Sequence, residues 1–182
     1  NGEIEAKEGV KVYLFTAAGA YVGKSAVTNA SGQVVFSLPP VDYKARADYL
    51  GQRFWSAVFN HADTEVVIEE GQALVTVTRL GQGVADVPVY VFSDAGAYAG
   101  IHGSSNGAGA VSFRLPAGAY NFRADYLGSR YFSGATTLIA HRQNPVEVST
   151  GGGNFILTVQ KAAGEPLAGV NCYLFNPAGA YL

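Results

Sequence analysis

The chain has 182 residues, of which 48% are hydrophobic and 14% charged, and its net charge is −2. That hydrophobic content excludes a disordered chain, and the charged share is low beside the roughly 25% of ordinary soluble domains. The charge gives no basic footprint for nucleic acid, and no apolar run approaches the roughly 20 residues of a membrane span.

In chain order, the first organised segment is 9–59, and it returns at 86–136. Aligned without a gap at an offset of 77, 24 of these 51 positions are identical. Gly19-Ala20-Tyr21 recurs as Gly96-Ala97-Tyr98, and Arg46-Ala47-Asp48-Tyr49-Leu50-Gly51 as Arg123-Ala124-Asp125-Tyr126-Leu127-Gly128. A third copy opens at Gly169 and reaches Leu182. Stacked copies of one module build length and surface rather than a single catalytic pocket. Both ends of the sequence fall within repeats and it holds no Met; the reading is a window on a longer tandem array.

Alternation of period two is the dominant local pattern. In the first copy Val34, Phe36 and Leu38 alternate with polar or exposed positions, as do Tyr43, Ala45, Ala47 and Tyr49 with Lys44, Arg46 and Asp48. A period of two places one set in a core and the other outside. In the second copy this pattern, punctuated by Gly, Asn, Pro and Ser, predicts strands at 74–79, 88–93, 99–104, 110–115, 119–127, 130–138 and 145–149. The third copy is expected to open with a strand at 155–160. Tyr43, Tyr120, Phe36 and Phe113 are the expected aromatic core, and no stretch carries helical spacing. Seven short antiparallel strands in about 80 residues predict an all-β fold of tandem seven-stranded antiparallel β-sandwich modules, Ig-like in architecture. The expected boundaries are 1–71 for a first repeat lacking its opening strand, 72–152 for a complete second repeat, and 153–182 for the start of a third.

Gly164-Glu165-Pro166-Leu167-Ala168-Gly169-Val170 and Leu115-Pro116-Ala117-Gly118-Ala119-Tyr120 resemble the opening and exit motifs of the carboxypeptidase regulatory-like and Cna-B-type domains. The resemblance covers nearly the whole chain and implies a prealbumin-like sandwich of the kind found in stalks of bacterial surface proteins. Cna-B-type relatives often carry a Lys–Asn isopeptide crosslink. This sequence has no Lys between Lys44 and Lys161, so its second copy cannot form one, and Lys11 faces Pro88 and Asn171 in its sister copies.

The candidate sites are few. Arg46/Asp48 and Arg123/Asp125 recur on the outward face of a strand, where residues two apart are neighbours; the reading is a structural ladder, or a binding row if the array presents it as a repeated patch. Trp55 matches Phe132, beside Phe54 and Tyr131. Consecutive aromatics on a strand face opposite ways, so one of each pair is expected outside, where it could stack on a sugar or pack between modules. His61, His102 and His141 are lone imidazoles without ligand-spaced neighbours. Asn29 and Asn106 stand where the resembled family has a turn Asp, and Asp94 is isolated, so calcium is not expected. Cys172 matches Val12 and Val89 and is expected to be a buried, inert thiol. No catalytic, cofactor-binding or metal-ligating residues are assigned. The expected function is a non-enzymatic structural segment of a bacterial extracellular stalk, adhesin or fibre, with other copies of itself or adjacent repeats as partners. The alternative is a carbohydrate- or protein-binding module of a secreted protein, with a cell-surface glycan or protein as partner.

Overall fold

The computed structural model describes residues 6–60, 62–162, 164–176 and 178–182. They are all-β: no helix occurs among them, and none is long and apolar enough to cross a membrane. The chain divides into two compact units. One holds Asn1–Gln72, Arg114–Gly118 and Leu138–Gln143; the other holds Ala73–Phe113, Ala119–Thr137 and Asn144–Leu182.

The first copy forms one antiparallel sheet. Its strands are β1 (Lys11–Thr16), β2 (Tyr21–Val27), β3 (Tyr43–Tyr49) and β4 (Gln52–Trp55), in the order β2-β1-β3-β4. Val12 and Leu14 of β1 and Tyr43, Ala45 and Ala47 of β3 are buried, as their period of two requires. Val34, Phe36, Phe54 and Val66 pack half-buried against Val10, Val12, Ala45 and Ala47. The hairpin between β3 and β4 turns on Leu50 and Gly51, both at positive φ (48° and 80°). A two-residue turn of that hand matches the twist of the strands it joins. The same Leu–Gly turn recurs at Leu127 and Gly128, with φ of 47° and 73°.

The second copy forms two sheets. The strands are β5 (Glu70–Arg79), β6 (Gln82–Gly83), β7 (Pro88–Ser93), β8 (Tyr98–Ser104), β9 (Ala110–Pro116), β10 (Gly118–Tyr126), β11 (Ser129–Phe132), β12 (Thr136–Leu138) and β13 (Gln143–Ser149). One sheet runs β11-β10-β7-β8, with β12 also on β10; in the other, β5 pairs with β13, β6 and β9. Ala73, Val75 and Val77 of β5 are fully buried, with Val89, Val91, Tyr120, Phe122 and Val148. Phe113 stacks on Phe122 at 6.0 Å between ring centroids. Gly109 lies so close to β6 that an added Cβ would sit 2.6 Å from the Gly83 Cα, and its own carbonyl accepts the Val77 N–H at 2.8 Å. Among the described residues the third copy contributes β14 (Gln160–Ala162), β15 (Glu165–Pro166) and an isolated antiparallel bridge between Phe175 and Tyr181.

The antiparallel sandwich expected from the alternation is the fold found, with four local differences. Residues 33–38, read as a strand, are extended without strand pairing, and Phe36 is half-buried rather than core. In the second copy the matching strand, β9, hydrogen-bonds to β5; the described residues of the first copy hold no counterpart of β5. The single strand expected at 130–138 is broken into β11 and β12 by a bulge. There Ser133 donates its N–H to the Phe122 carbonyl, and its Oγ accepts the Phe122 N–H. The strand expected at 155–160 is confined to β14, and Phe155, Ile156 and Leu157 are exposed. Cys172 is exposed, not buried. Val12 and Val89 are buried because a second layer covers them, and the third copy has no such layer among the described residues.

Within the first unit, Glu70 at the start of β5 has a side chain only 5% exposed, and it lies 3.2 Å from Lys7 Nζ and 2.8 Å from Arg114 Nε. Two cations on one nearly buried carboxylate supply the pairing such a burial requires.

Truncating Phe113 to Ala should cost the second copy roughly 3–5 kcal/mol, the usual penalty for a large buried ring. Calorimetry of the full chain is the check, and a melting profile within a degree or two of wild type would contradict the packing assigned to this ring.

A candidate interaction surface

In both copies the sheet that contains Arg46 or Arg123 has an outer face built from aromatics. The reason is local. The residues that alternate with the buried valines and alanines of β1, β3, β7 and β10 are Tyr13, Phe15, Arg46, Asp48, Tyr90, Phe92, Arg123 and Asp125. Antiparallel pairing then sets them side by side: Tyr13 opposite Arg46 and Arg46 opposite Trp55, and likewise Tyr90 opposite Arg123 and Arg123 opposite Phe132.

The guanidinium is central in each row. Arg46 donates Nε to Asp48 Oδ1 at 2.7 Å and Nη2 to Oδ2 at 2.9 Å. Its Cζ lies 4.8 Å from the Tyr13 ring centroid, 5.1 Å from Phe15 and 5.7 Å from Trp55. Arg123 repeats this: Nη2 donates to Asp125 Oδ2 at 3.1 Å, Nε lies 2.8 Å from Oδ1, and Cζ sits 4.6 Å from Tyr90 and 5.1 Å from Phe92. The carboxylate offsets the guanidinium charge while the ring faces stack on it, and in the first row Lys11 Nζ also lies 5.2 Å from the Tyr13 ring centroid.

Around the Arg, three rings form a trough. Phe15 is the floor, at 8% exposure. Tyr21 stands 5.5 Å from it at 53°, and Trp55 4.9 Å away at 58°. In the second copy Phe92 is the floor, with Tyr98 at 5.5 Å and 50° and Phe132 at 6.5 Å and 59°. The walls are open to solvent: Trp55 is 47% and Phe132 57% exposed. The third copy keeps the same residue types, with Phe175 and Tyr181 5.8 Å apart at 68°.

The sequence-derived candidates divide accordingly. Arg46 and Trp55 meet in one cluster and Arg123 and Phe132 in the other, and Trp55 faces outward while Phe54 packs on the core. His102 joins the second row, stacked on Tyr90 at 5.7 Å with Nδ1 3.2 Å from the Tyr98 hydroxyl. His141 stands apart and donates its N–H to the Glu70 carbonyl. His61 lies outside the described residues. Asn29 and Asn106 are turn residues whose Oδ1 atoms each accept two backbone N–H groups. No group of three or more His, Cys, Asp or Glu that could hold a metal ion occurs among the described residues. Sequence reasoning missed Tyr13, Phe15, Tyr21 and their counterparts as members of a surface cluster. The available signal was that Tyr-x-Phe followed by Gly-Ala-Tyr is identical in all three copies.

No family model matches the chain, and no curated protein matches it. Among solved structures it is similar to GBS52, the minor pilin of Streptococcus agalactiae, with a TM-score of 0.51 and 14% identity over 86% of this chain and 88% of that one. The fold is what they share. Weaker similarities include BcpA, the major pilin subunit of Bacillus cereus (TM-score 0.36, 15% identity, 76% of this chain and 55% of that one), and an E269A mutant of the shaft pilin SpaA from Lactobacillus rhamnosus GG (TM-score 0.32, 11% identity, 84% and 87%). The likeness to GBS52 agrees with the sandwich that the sequence motifs implied.

Replacing Arg123 with Ala removes two cation–π contacts and leaves Asp125 without its fork, at an expected cost of about 1–2 kcal/mol. Lys should recover only part, because an ammonium cannot bridge both carboxylate oxygens. Urea denaturation of the two variants beside wild type is the measurement, and full rescue by Lys would contradict the bidentate role.

Proposed function

We propose that the chain is a structural, non-enzymatic segment of a bacterial extracellular stalk, adhesin or fibre. Its repeats are 1–71, 72–152 and 153–182, and they assemble head to tail on the cell surface with other copies or adjacent repeats as partners. The observation that carries this reading is that, among the described residues, 33–38 of the first copy have no strand paired to them, while Phe155, Ile156 and Leu157 lie exposed outside any strand. In the second copy β5 fills the middle of its sheet, and Ala73, Val75 and Val77 are fully buried. In the first copy a slot of about 220 Å³ is lined by Phe36, Leu38, Tyr43 and Phe59, among others, the first three being the counterparts of Phe113, Leu115 and Tyr120.

Residues 155–159 match the buried part of β5 by position in the repeat. The Leu167 N–H donates to the Val159 carbonyl as the Val84 N–H donates to that of Val77, both at 2.9 Å. That equivalence gives Phe155, Leu157 and Val159 the positions of Ala73, Val75 and Val77. An exposed apolar segment and a neighbourless segment of strand-like alternation invite strand addition. The strand can come from an adjacent repeat of one polypeptide or from a second copy of the chain. The shared fold with a minor pilin supports the reading by analogy only.

The test is sedimentation of the 182-residue chain over a concentration series. Wild type should form oligomers that grow with concentration. Leu157→Asp, at a position 63% exposed in the single chain, should stay monomeric without losing thermal stability. Wild type that remains monomeric at every concentration would overturn strand-mediated assembly.

A further inference from the structure

Three hairpins of this chain turn on a residue that such a turn does not favour. Leu50–Gly51 joins β3 to β4, Leu80–Gly81 joins β5 to β6, and Leu127–Gly128 joins β10 to β11. Both central residues of these two-residue turns stand at positive φ, which Asn, Asp and Gly adopt at little cost and Leu does not. The three Leu residues hold φ of 48°, 51° and 47°. Leu80 is 60% and Leu127 47% exposed, so the core of their own copy does not account for an apolar side chain at either tip. Strain kept at a surface turn points to a contact that the turn is built to make.

We propose that the Leu50–Gly51 and Leu127–Gly128 tips are docking surfaces for the next repeat. The occupant is one particular end of that repeat: the turn after its first strand, together with the start of the strand that corresponds to β10. This rests on the reading that adjacent repeats are partners, and it does not depend on strand addition.

Both junctions pair the same two ends. At the first, a Cβ on Gly118, the first residue of β10, would collide with the side-chain amide of Gln52, the residue after the Leu50–Gly51 turn. At the second, a Cβ on Gly128 of the Leu127–Gly128 turn would collide with the side-chain amide of Asn176. Asn176 is the third copy's counterpart of Ser93, and Ser93 pairs with Tyr120, two residues after Gly118 on β10. Gly118 and Asn176 thus mark one end of the module in successive copies. Asn176 serves twice there: its Oδ1 accepts the Ala180 N–H at 2.9 Å and closes its own turn, while its Nδ2 lies against Gly128. The third tip lies against the joint itself, since a Cβ on Gly152, in the link between the second and third copies, would stand 3.5 Å from Leu80 Cγ.

Coverage of the tips follows the same order. Leu50, beside the Gln52 that meets Gly118, is half-buried. Leu127 has the same turn and nearly the same φ but meets only the Asn176 turn, the 182 residues including no third-copy counterpart of Gly118, and it is 47% exposed. The first junction is also fixed by charge: the nearly buried Glu70 carboxylate takes Lys7 of the first copy at 3.2 Å and Arg114 of the second at 2.8 Å.

Cysteine labelling of the full chain is the test, with Cys172→Ser removing the native thiol. Leu157→Asp in the same chain keeps strand-mediated association out of the measurement, so this result and the sedimentation result stand or fall separately. Leu50→Cys should react with a maleimide at least fivefold more slowly than Leu127→Cys. Adding Gly118→Val, which fills the place of the Gln52 amide, should bring the Leu50→Cys rate to within twofold of the Leu127→Cys rate while far-ultraviolet circular dichroism stays unchanged. Melting supplies a second arm. Leu127→Asn relieves the turn and should raise the midpoint by about 2–4 °C. Leu50→Asn relieves the same strain but loses the docked contact, and should not raise it. Equal labelling of the two tips would overturn the proposal. So would a folded Gly118→Val variant in which Leu50→Cys stays slow, or a Leu50→Asn midpoint that rises as far as that of Leu127→Asn.

Discussion

The strand β5 is the constraint on which the sandwich depends. A buried backbone must find hydrogen-bond partners, and in the second copy β5 supplies them to β9 on one side and β13 on the other. Its three fully buried side chains then close the core from within the sheet. Residues 33–38 have the same alternation as β9, and their Phe and Leu are identical to Phe113 and Leu115, yet they form no ladder. Side-chain pattern was sufficient to extend them toward the core but not to make them a strand. That difference, between two segments of nearly one sequence, isolates the contribution of the hydrogen-bonding neighbour from that of the local pattern.

The Arg-bearing sheets are two-faced in an unusual way. Their inner faces combine Val, Leu and Ala with the buried rings of Tyr43, Tyr120 and Phe122, and the further aromatics Tyr13, Phe15, Tyr90 and Phe92 are placed outside. The rings outside shield the sheet's other surface around the Arg–Asp pair. Each Arg depends on its Asp two residues along the strand. A guanidinium held over ring faces without that carboxylate would carry a partly desolvated charge with no counterion. The repeated Arg-Ala-Asp thus combines one inward small residue with one outward ion pair in three positions.

Much of the fold was legible in the sequence, because period two and turn residues act locally. The burial of Tyr43, Tyr120 and Phe113 followed from alternation alone, and the outward turn of Trp55 followed from its adjacency to Phe54. The aromatic trough was not legible to the same degree. Tyr21 and Phe15 are six residues apart and Trp55 forty further on, and only the pairing of β2, β1, β3 and β4 brings them together. The exposure of Cys172 was missed for a related reason: position in a repeat predicts burial only where the covering layer is also present.

What the copies hold in common is geometry more than residue identity. The turn after the first strand of each copy is closed by a side-chain oxygen accepting the N–H four residues on, and that oxygen belongs to Thr16, Ser93 and Asn176 in turn. The Thr28 hydroxyl accepts the Val10 N–H and donates to the Lys7 carbonyl; Ser105 does the same between Val87 and Val84. Ser56 and Ser133 seat equivalent bulges against Ala45 and Phe122. In each case a short side chain with an acceptor in reach of an otherwise orphaned amide is the requirement, and any residue that meets it serves. The outer-face aromatics behave differently. No hydrogen bond of the backbone depends on Tyr13, Phe15 or Tyr21, so nothing in the turn and ladder chemistry fixes their type, and still they are unchanged in all three copies. Residues that the fold's own polar accounting leaves free to vary, and that do not vary, are held by the surface they form.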